Sequence, residues 1–347
     1  MRTTLPTAKN STPRSHKTPA LDELVSDEVY TSIAELRVRD PTLAARLAAK
    51  RRRRRELTDD GRLAILAADH PGRMVTAIRG DSVRMGDRRE LLSRIVRVLS
   101  GSRFDGVLAT ADIIDELLII GHAAGGRASK LLDGRVLIGS MNRGGLAGSA
   151  FELDDAETGY DADGLVAMNM DGGKFLLRLD PEDRDSGRTL EYCVRAVRRC
   201  GEKGLPIFVE PLPVNSKAGA KLDRDPEKII RLVGVVSALS SSSARMWLKL
   251  PYCEGFDRVV RSTTLPILLL GGEATNDIDE LLLEVEAAMR AGPNVRGVLM
   301  GRSLLYPPVG DPASIASAVA SMVHRGVSAR TARREIERRG GSSRSWR

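Results

Sequence analysis

Aromatic side chains are scarce here: five Phe, five Tyr and two Trp in 347 residues, or 3% of the chain. A core must therefore be filled by Leu, Val, Ile and Ala, and a hydrophobic content of 42% is enough to fill one. The same scarcity leaves few rings on which bases could stack, and no nucleic-acid-binding motif is present, so nucleic acid is not an expected partner. Cysteine occurs three times, at Cys193, Cys200 and Cys253. That spacing suits neither a metal site nor a disulfide framework and points to a reducing compartment. The four histidines are scattered, so no metal is expected, and no cofactor either. Apolar runs long enough to span a membrane are absent and the N-terminus lacks an apolar signal core, so the expected location is the cytoplasm. Lysine is also rare, at ten of 54 basic residues. Arg carries the surface charge, so a Lys inside an apolar run needs another explanation.

The net charge of +8 is unevenly spread. Arg51–Arg55 form an unbroken basic run and residues 330–347 are again Arg-rich; both read as solvated charge. Residues 1–25, rich in Thr, Ser, Pro and Lys, are expected to be a disordered tail. Residues 26–58 form a helical extension, interrupted at Asp40-Pro41, in which Leu43 and Leu47 share a face. From residue 60 short apolar runs alternate with amphipathic stretches. The runs are Leu63–Asp69, Gly106–Thr110, Arg135–Gly139, Lys174–Arg178, Pro206–Glu210, Met246–Lys249, Pro266–Leu270 and Gly297–Gly301. Gly164–Met168 reads as a helix, which keeps the strand count at eight. Eight strands, most followed by a helix, predict an α/β fold: one (β/α)8 barrel over 60–326, ending in a helix over Ser314–His324, with a basic tail over 327–347 and disordered termini. An open doubly wound sheet would carry a Gly-rich fingerprint after its first strand, and Asp69–Arg73 is not one.

Functional groups in such barrels sit at the C-terminal ends of strands. Lys249 ends the sixth run. A desolvated Lys loses its proton readily and becomes a nucleophilic amine, which Arg cannot do. Lys174 starts the fourth run and, if protonated near Lys249, would lower its pKa by repulsion. Glu210 ends the fifth and is a candidate for general acid–base steps. Asp69 ends the first and suits a substrate hydroxyl or charge balance. Arg178 shares the Lys174 face. Gly271 and Gly272 after the seventh run, with Gly301 and Arg302 after the eighth, have the composition of a barrel phosphate site: glycine N–H groups approach the anion and Arg holds it. His70 reads as a loop histidine; His122 and His324 read as structural.

Several of these segments resemble the class I aldolases of the tagatose-bisphosphate and sulfofructose-phosphate aldolase group, themselves similar to deoxyribose-phosphate and archaeal fructose-bisphosphate aldolases. The resemblance lies in Ile65–His70, Glu157–Asp161, Gly173–Asp183, Pro206–Pro211, Trp247–Pro251 and Gly297–Arg302, in this order. It implies a metal-independent aldolase in which Lys249 forms a Schiff base, Glu210 is the acid/base and Lys174 belongs to the site. It also implies a phosphorylated ketose or keto-sugar acid as substrate, a homo-oligomer, and a place in carbohydrate catabolism, with an inositol-derived deoxy-keto-gluconate phosphate as one candidate. The chain departs from that pattern at Leu250–Cys253, where an acidic-apolar continuation is usual, and at Arg178, where an aromatic is usual. Two other readings fit the same residues: a sugar-phosphate-binding barrel without catalysis, serving as sensor or assembly partner, and a non-covalent barrel isomerase or lyase using Glu210 as base.

Overall fold

The first strand, β1 (Leu63–Ala67), is buried on both faces, as a strand in a helix-covered parallel sheet must be. Leu63, Ile65 and Ala67 point into a small cluster with Leu108, Ile138, Phe208, Leu268 and Leu299, while Ala64 and Leu66 point into the main core. The structure is a computed structural model describing residues 25–125, 129–272, 274 and 276–340. Seven more strands share the pattern: β2 (Gly106–Ala109), β3 (Val136–Ser140), β4 (Gly172–Leu179), β5 (Ile207–Asn215), β6 (Met246–Leu250), β7 (Ile267–Leu270) and β8 (Val295–Met300). Each pairs in parallel with the next, and β8 pairs back onto β1 with Leu63 beside Gly297. The sheet therefore closes into a (β/α)8 barrel, and the small cluster fills its interior. Beyond the barrel rim, β5 turns into a hairpin that returns through the antiparallel pair Val214–Leu222.

One glycine is required by the closure. The β7–β8 register shifts between Ile267 and Leu268, and Gly297 lies in that irregularity with φ +133°, where a Cβ would fall 2.0 Å from the Leu63 carbonyl oxygen. Only glycine fits such a contact.

The chain before the barrel forms α1 (Asp27–Arg39) and α2 (Leu43–Lys50). Ser26 caps α1 by accepting from the Val29 N–H, acidic residues open the helix and arginines end it, as the helix dipole favours. Pro41 separates the pair. Around the barrel run α3 (Arg88–Gly101), α4 (Ala111–Ala124), α5 (Ala162–Ala167), α6 (Asp185–Glu202), α7 (Pro226–Ser237), α8 (Phe256–Arg261), α9 (Ile278–Arg290), the single turn α10 (Arg302–Leu305) and α11 (Pro312–Arg325). The segment around Gly164–Met168 is thus helical, as its pattern suggests. The apolar breadth of α4 has a reason: α1 and α2 pack on its outer side, so Ile113, Leu117, Leu118 and Ile120 are all buried.

Two expectations for the basic segments are corrected. The run Arg51–Arg55 is not simply solvated charge. Arg51 is buried against Asp171 at 2.9 Å and also donates to the Arg135 and Asn169 carbonyls; Arg53 takes the other Asp171 oxygen at 2.8 Å, and Arg54 reaches Asp105 at 2.8 Å. The run clamps the extension to the N-terminal end of the barrel, where Asp171 also accepts from the Leu137 N–H. Likewise the C-terminal tail expected from residue 327 begins as a helix, α12 (Ala329–Gly340), which buries Ala332 and Ile336 and packs on α11 and α9. The tail expected over residues 1–25 lies outside the described residues apart from Val25, as does the chain beyond Gly340. His324 is structural as expected, holding Asp60 at 2.9 Å and Asp105 at 3.0 Å.

An Arg51→Met variant is expected to lose about 3 kcal/mol of stability by denaturant titration, the low end for breaking a buried pair because Arg53 still covers Asp171. A change within about 0.5 kcal/mol, the range of ordinary surface substitutions, would remove the clamp interpretation.

Candidate active site

Alternation along the strands carries polar side chains into the barrel mouth. The inward series Leu63, Ile65 and Ala67 continues to Asp69; Phe208 on β5 is followed by Glu210; Trp247 on β6 is followed by Lys249. On β4, Phe175 and Leu177 face the outer core, leaving Lys174 and Leu176 to line the mouth. Together they border a cavity of about 610 Å³ at the C-terminal ends of the strands, a volume in the range of small-molecule sites.

Glu210 is the centre of the polar layer. One carboxylate oxygen lies 2.8 Å from the Lys249 Nζ and the other 2.5 Å from the Lys174 Nζ. All three side chains are buried, Lys174 to 1% exposure. Lys174 also lies 3.7 Å from Asp69. Asp69 accepts from the Ser140 hydroxyl at 3.1 Å and is ion-paired with Arg143.

Burial pushes the Lys249 pKa down; Glu210 opposes this, while Arg143 and Arg302 push it further down. Burial lowers Lys174 well below the usual lysine range, again against Glu210 and with help from Arg143 and Lys249. For Glu210 burial acts upward, but the two ammonium groups outweigh it and hold the carboxyl below its usual range. Burial takes Arg143 down to about 10, which leaves it charged at neutral pH. The pocket thus contains a carboxylate kept ionised and two amines whose charged forms are disfavoured. His70, at the same mouth, is pushed well below its usual range by burial and then by Arg302 and Lys249, so its imidazole is neutral.

Gly271, Gly272, Gly301 and Arg302 come together on one side of the cavity. Arg302 donates to the Gly272 carbonyl at 3.1 Å. Gly272 has φ +61°, and a Cβ on Gly301 would meet the Ala67 carbonyl oxygen at 2.3 Å, so both positions need glycine.

Arg178 is the exception among the expected site residues. It does not line the cavity. Its guanidinium turns away to Glu152 and to Asp155, 3.6 Å distant, and donates to the Gly145 and Glu152 carbonyls. Glu152 is shared with Arg73 at 3.3 Å, so Arg178 braces the loop after β3 rather than a ligand. Arg143 is the residue that strand-end reasoning missed. It lies just past β3, buried against Asp69. Ending that strand at Ser140 instead of Gly139 and then reading the next three positions would have found it. Arg73, Arg224 and Lys221 also border the cavity, from loops with no motif of their own. Among the described residues, no helix is long and apolar enough to cross a membrane, and no group of three or more His, Cys, Asp or Glu side chains could hold a metal.

Comparison with known proteins gives the family and its fold. A family model described as Cgl0159-like matches residues 61–323, and the chain belongs to that family. The crystal structure of Cgl0159 from Corynebacterium glutamicum superposes with a TM-score of 0.81 at 39% identity, covering 87% of this chain and 99% of that one. A fructose-bisphosphate aldolase from Slackia heliotrinireducens (TM-score 0.63, 14% identity, 98% of each chain) shares the fold. So does an archaeal fructose 1,6-bisphosphate aldolase (0.56, 19%, 82% of this chain and 100% of that one). An uncharacterized aldolase of Saccharolobus solfataricus is 31% identical over 145 residues, 41% of this chain and 50% of that protein. A 2-amino-4,5-dihydroxy-6-oxo-7-(phosphonooxy)heptanoate synthase of Streptomyces griseus is 25% identical over 127 residues, 36% of this chain and 43% of that protein. The chain spans about half the length or less of these last two relatives.

Proposed function

We propose that this member of the Cgl0159-like family is a class I aldolase, in which Lys249 forms a Schiff base with a phosphorylated ketose or keto-sugar acid. The observation that carries this reading is the buried Lys249–Glu210–Lys174 bridge at the catalytic end of the barrel. A buried amine of lowered pKa is a nucleophile, and the carboxylate beside it can move the protons that imine formation requires.

Lys249 Nζ attacks the ketone carbon. A proton released from nitrogen passes to the ketone oxygen to make the carbinolamine hydroxyl. Glu210, holding the proton it took from the Lys249 ammonium before the attack, delivers that proton to the hydroxyl, which leaves as water. The resulting iminium draws electrons from the bond between the α and β carbons, one bond removed from the iminium carbon. A hydroxyl proton passes to Glu210, the bond breaks, an aldehyde departs and an enamine remains. Protonation at carbon and hydrolysis return the free amine. Lys174 holds the substrate oxygen nearest the bond being broken. Ser140, Arg143 and, at 3.7 Å, Lys174 all lie on one Asp69 oxygen, Oδ2, and two of these partners are cations, which suits charge balance and positioning of a hydroxyl. Gly271, Gly272, Gly301 and Arg302 hold the phosphate. The aldolase-named relative supports the reaction class, and the oxo and phosphonooxy groups in the synthase's name support the substrate class.

Borohydride reduction in the presence of dihydroxyacetone phosphate tests the proposal. The expected result is a reduced adduct on the peptide containing Lys249. An adduct on Lys174 would reverse the lysine roles. If ketones that bind leave no adduct, the Schiff-base mechanism is wrong.

A further inference from the structure

We propose that Arg224, on the strap that follows the β5 hairpin, is a phosphate-binding residue of this site and sets its preference for a phosphorylated ketone. The proposal rests on the aldolase reading for the substrate's chemistry, but not for the binding itself.

The strap leaves the barrel at Asn215, is fastened to Asp180 through Ser216 at 2.8 Å, returns through Leu222 and enters α7 at Pro226. Its carboxylates are engaged elsewhere: Asp223 lies 2.7 Å from Lys228, and Asp225 caps α7 by accepting from the Glu227 N–H. Arg224 between them forms no ion pair within the described residues. It is exposed to solvent and borders the cavity. One N–H donates to the Tyr252 carbonyl at 3.3 Å, which ties the strap to the segment just beyond Lys249. The other terminal nitrogen lies 3.1 Å from where a Cβ on Gly272 would be. Arg302 reaches the carbonyl of that same Gly272 from β8. Two guanidinium groups from different elements thus meet at one glycine: Arg302 at its carbonyl, and Arg224 in the space its missing side chain leaves. A phosphate seated at Gly272 and Gly301 meets Arg302 from the barrel side and Arg224 from the solvent side. Planar forked donors suit such an anion better than an ammonium would. The strap is a separate chain segment, so it adds affinity for phosphate without altering the lysine–carboxylate layer.

The test compares wild type with Arg224→Ser, both checked for unchanged melting. Inorganic phosphate binding is measured by calorimetry, and half-saturation of borohydride trapping is measured with dihydroxyacetone phosphate and with dihydroxyacetone. Phosphate is expected to bind about tenfold more weakly to Arg224→Ser, as for loss of one partly exposed charge-assisted hydrogen bond. The preference for the phosphorylated ketone should fall by a similar factor, with Arg224→Lys intermediate. Equal phosphate affinity in wild type and Arg224→Ser, or no phosphate binding to wild type, overturns the proposal. Weakened phosphate binding in a protein that traps no ketone leaves Arg224 as a phosphate ligand and removes the Schiff-base reading instead.

Discussion

Lys249→Met is expected to abolish the borohydride-fixed adduct and to lower carbon–carbon bond cleavage by about 10⁴-fold or more, the scale seen when a covalent nucleophile is deleted. Methionine suits the position for a structural reason. Lys249 points from β6 into the barrel mouth, on the face opposite Leu248 and Leu250, and its side chain is buried there. An unbranched apolar side chain preserves that packing. Glu210 is not stranded either, because Lys174 remains 2.5 Å from its other oxygen. The variant should therefore melt near the wild-type temperature and still bind phosphate. Full cleavage activity in a folded Lys249→Met protein would eliminate Lys249 as the nucleophile, and with it the proposed mechanism. A variant that binds ligand but forms no adduct would confirm the expected division of roles, with Lys249 making the bond and Gly272, Gly301 and Arg302 holding the phosphate.

Glu210→Gln should lower turnover by about 10²- to 10⁴-fold, the range for a lost general acid–base group, and its pH profile should move in a direction fixed by the geometry. The Glu210 carboxylate favours the charged form of Lys249, opposing the burial that lowers its pKa. A neutral amide removes that opposition, so the Lys249 pKa falls further and the amine is free at lower pH. The acid limb of adduct formation should shift to lower pH while the steps that move protons slow down. A merely structural role for Glu210 would lower activity at all pH values without moving the limb; that result would exclude the proton-transfer role. The substitution leaves two buried lysines without their shared carboxylate, and they can respond by shedding protons. Stability should consequently fall most at low pH, where they are forced to stay charged.

Much of the barrel could be read from the chain. Eight apolar runs separated by amphipathic segments allow few closed parallel arrangements, and period-two alternation then dictates that Asp69, Lys174, Glu210 and Lys249 face inward. The rarity of lysine made Lys249 conspicuous in a strand. Alternation alone misled at Arg178, which shares its parity with Lys174 but lies at the end of β4, where the loop after β3 supplies Glu152 and Asp155 within reach. A long, flexible guanidinium follows its nearest carboxylates rather than the strand's pleat. The same property hid the role of Arg51–Arg55: nothing local distinguishes a solvated basic run from one whose partners, Asp171 and Asp105, lie far along the chain, just before β4 and β2.

The sequence by itself determined the strand count, the inward-facing positions and the chemical types gathered at the strand ends, because hydrophobic periodicity is a local property. Only the tertiary structure decided which charges pair. It joined Arg143 to Asp69, placed Glu210 between two lysines, and brought Arg224 from the β5 strap to the glycine that Arg302 also touches. The physical reason is that ion pairs depend on distances of a few ångströms between residues far apart in the chain, and those distances exist only once the barrel has closed.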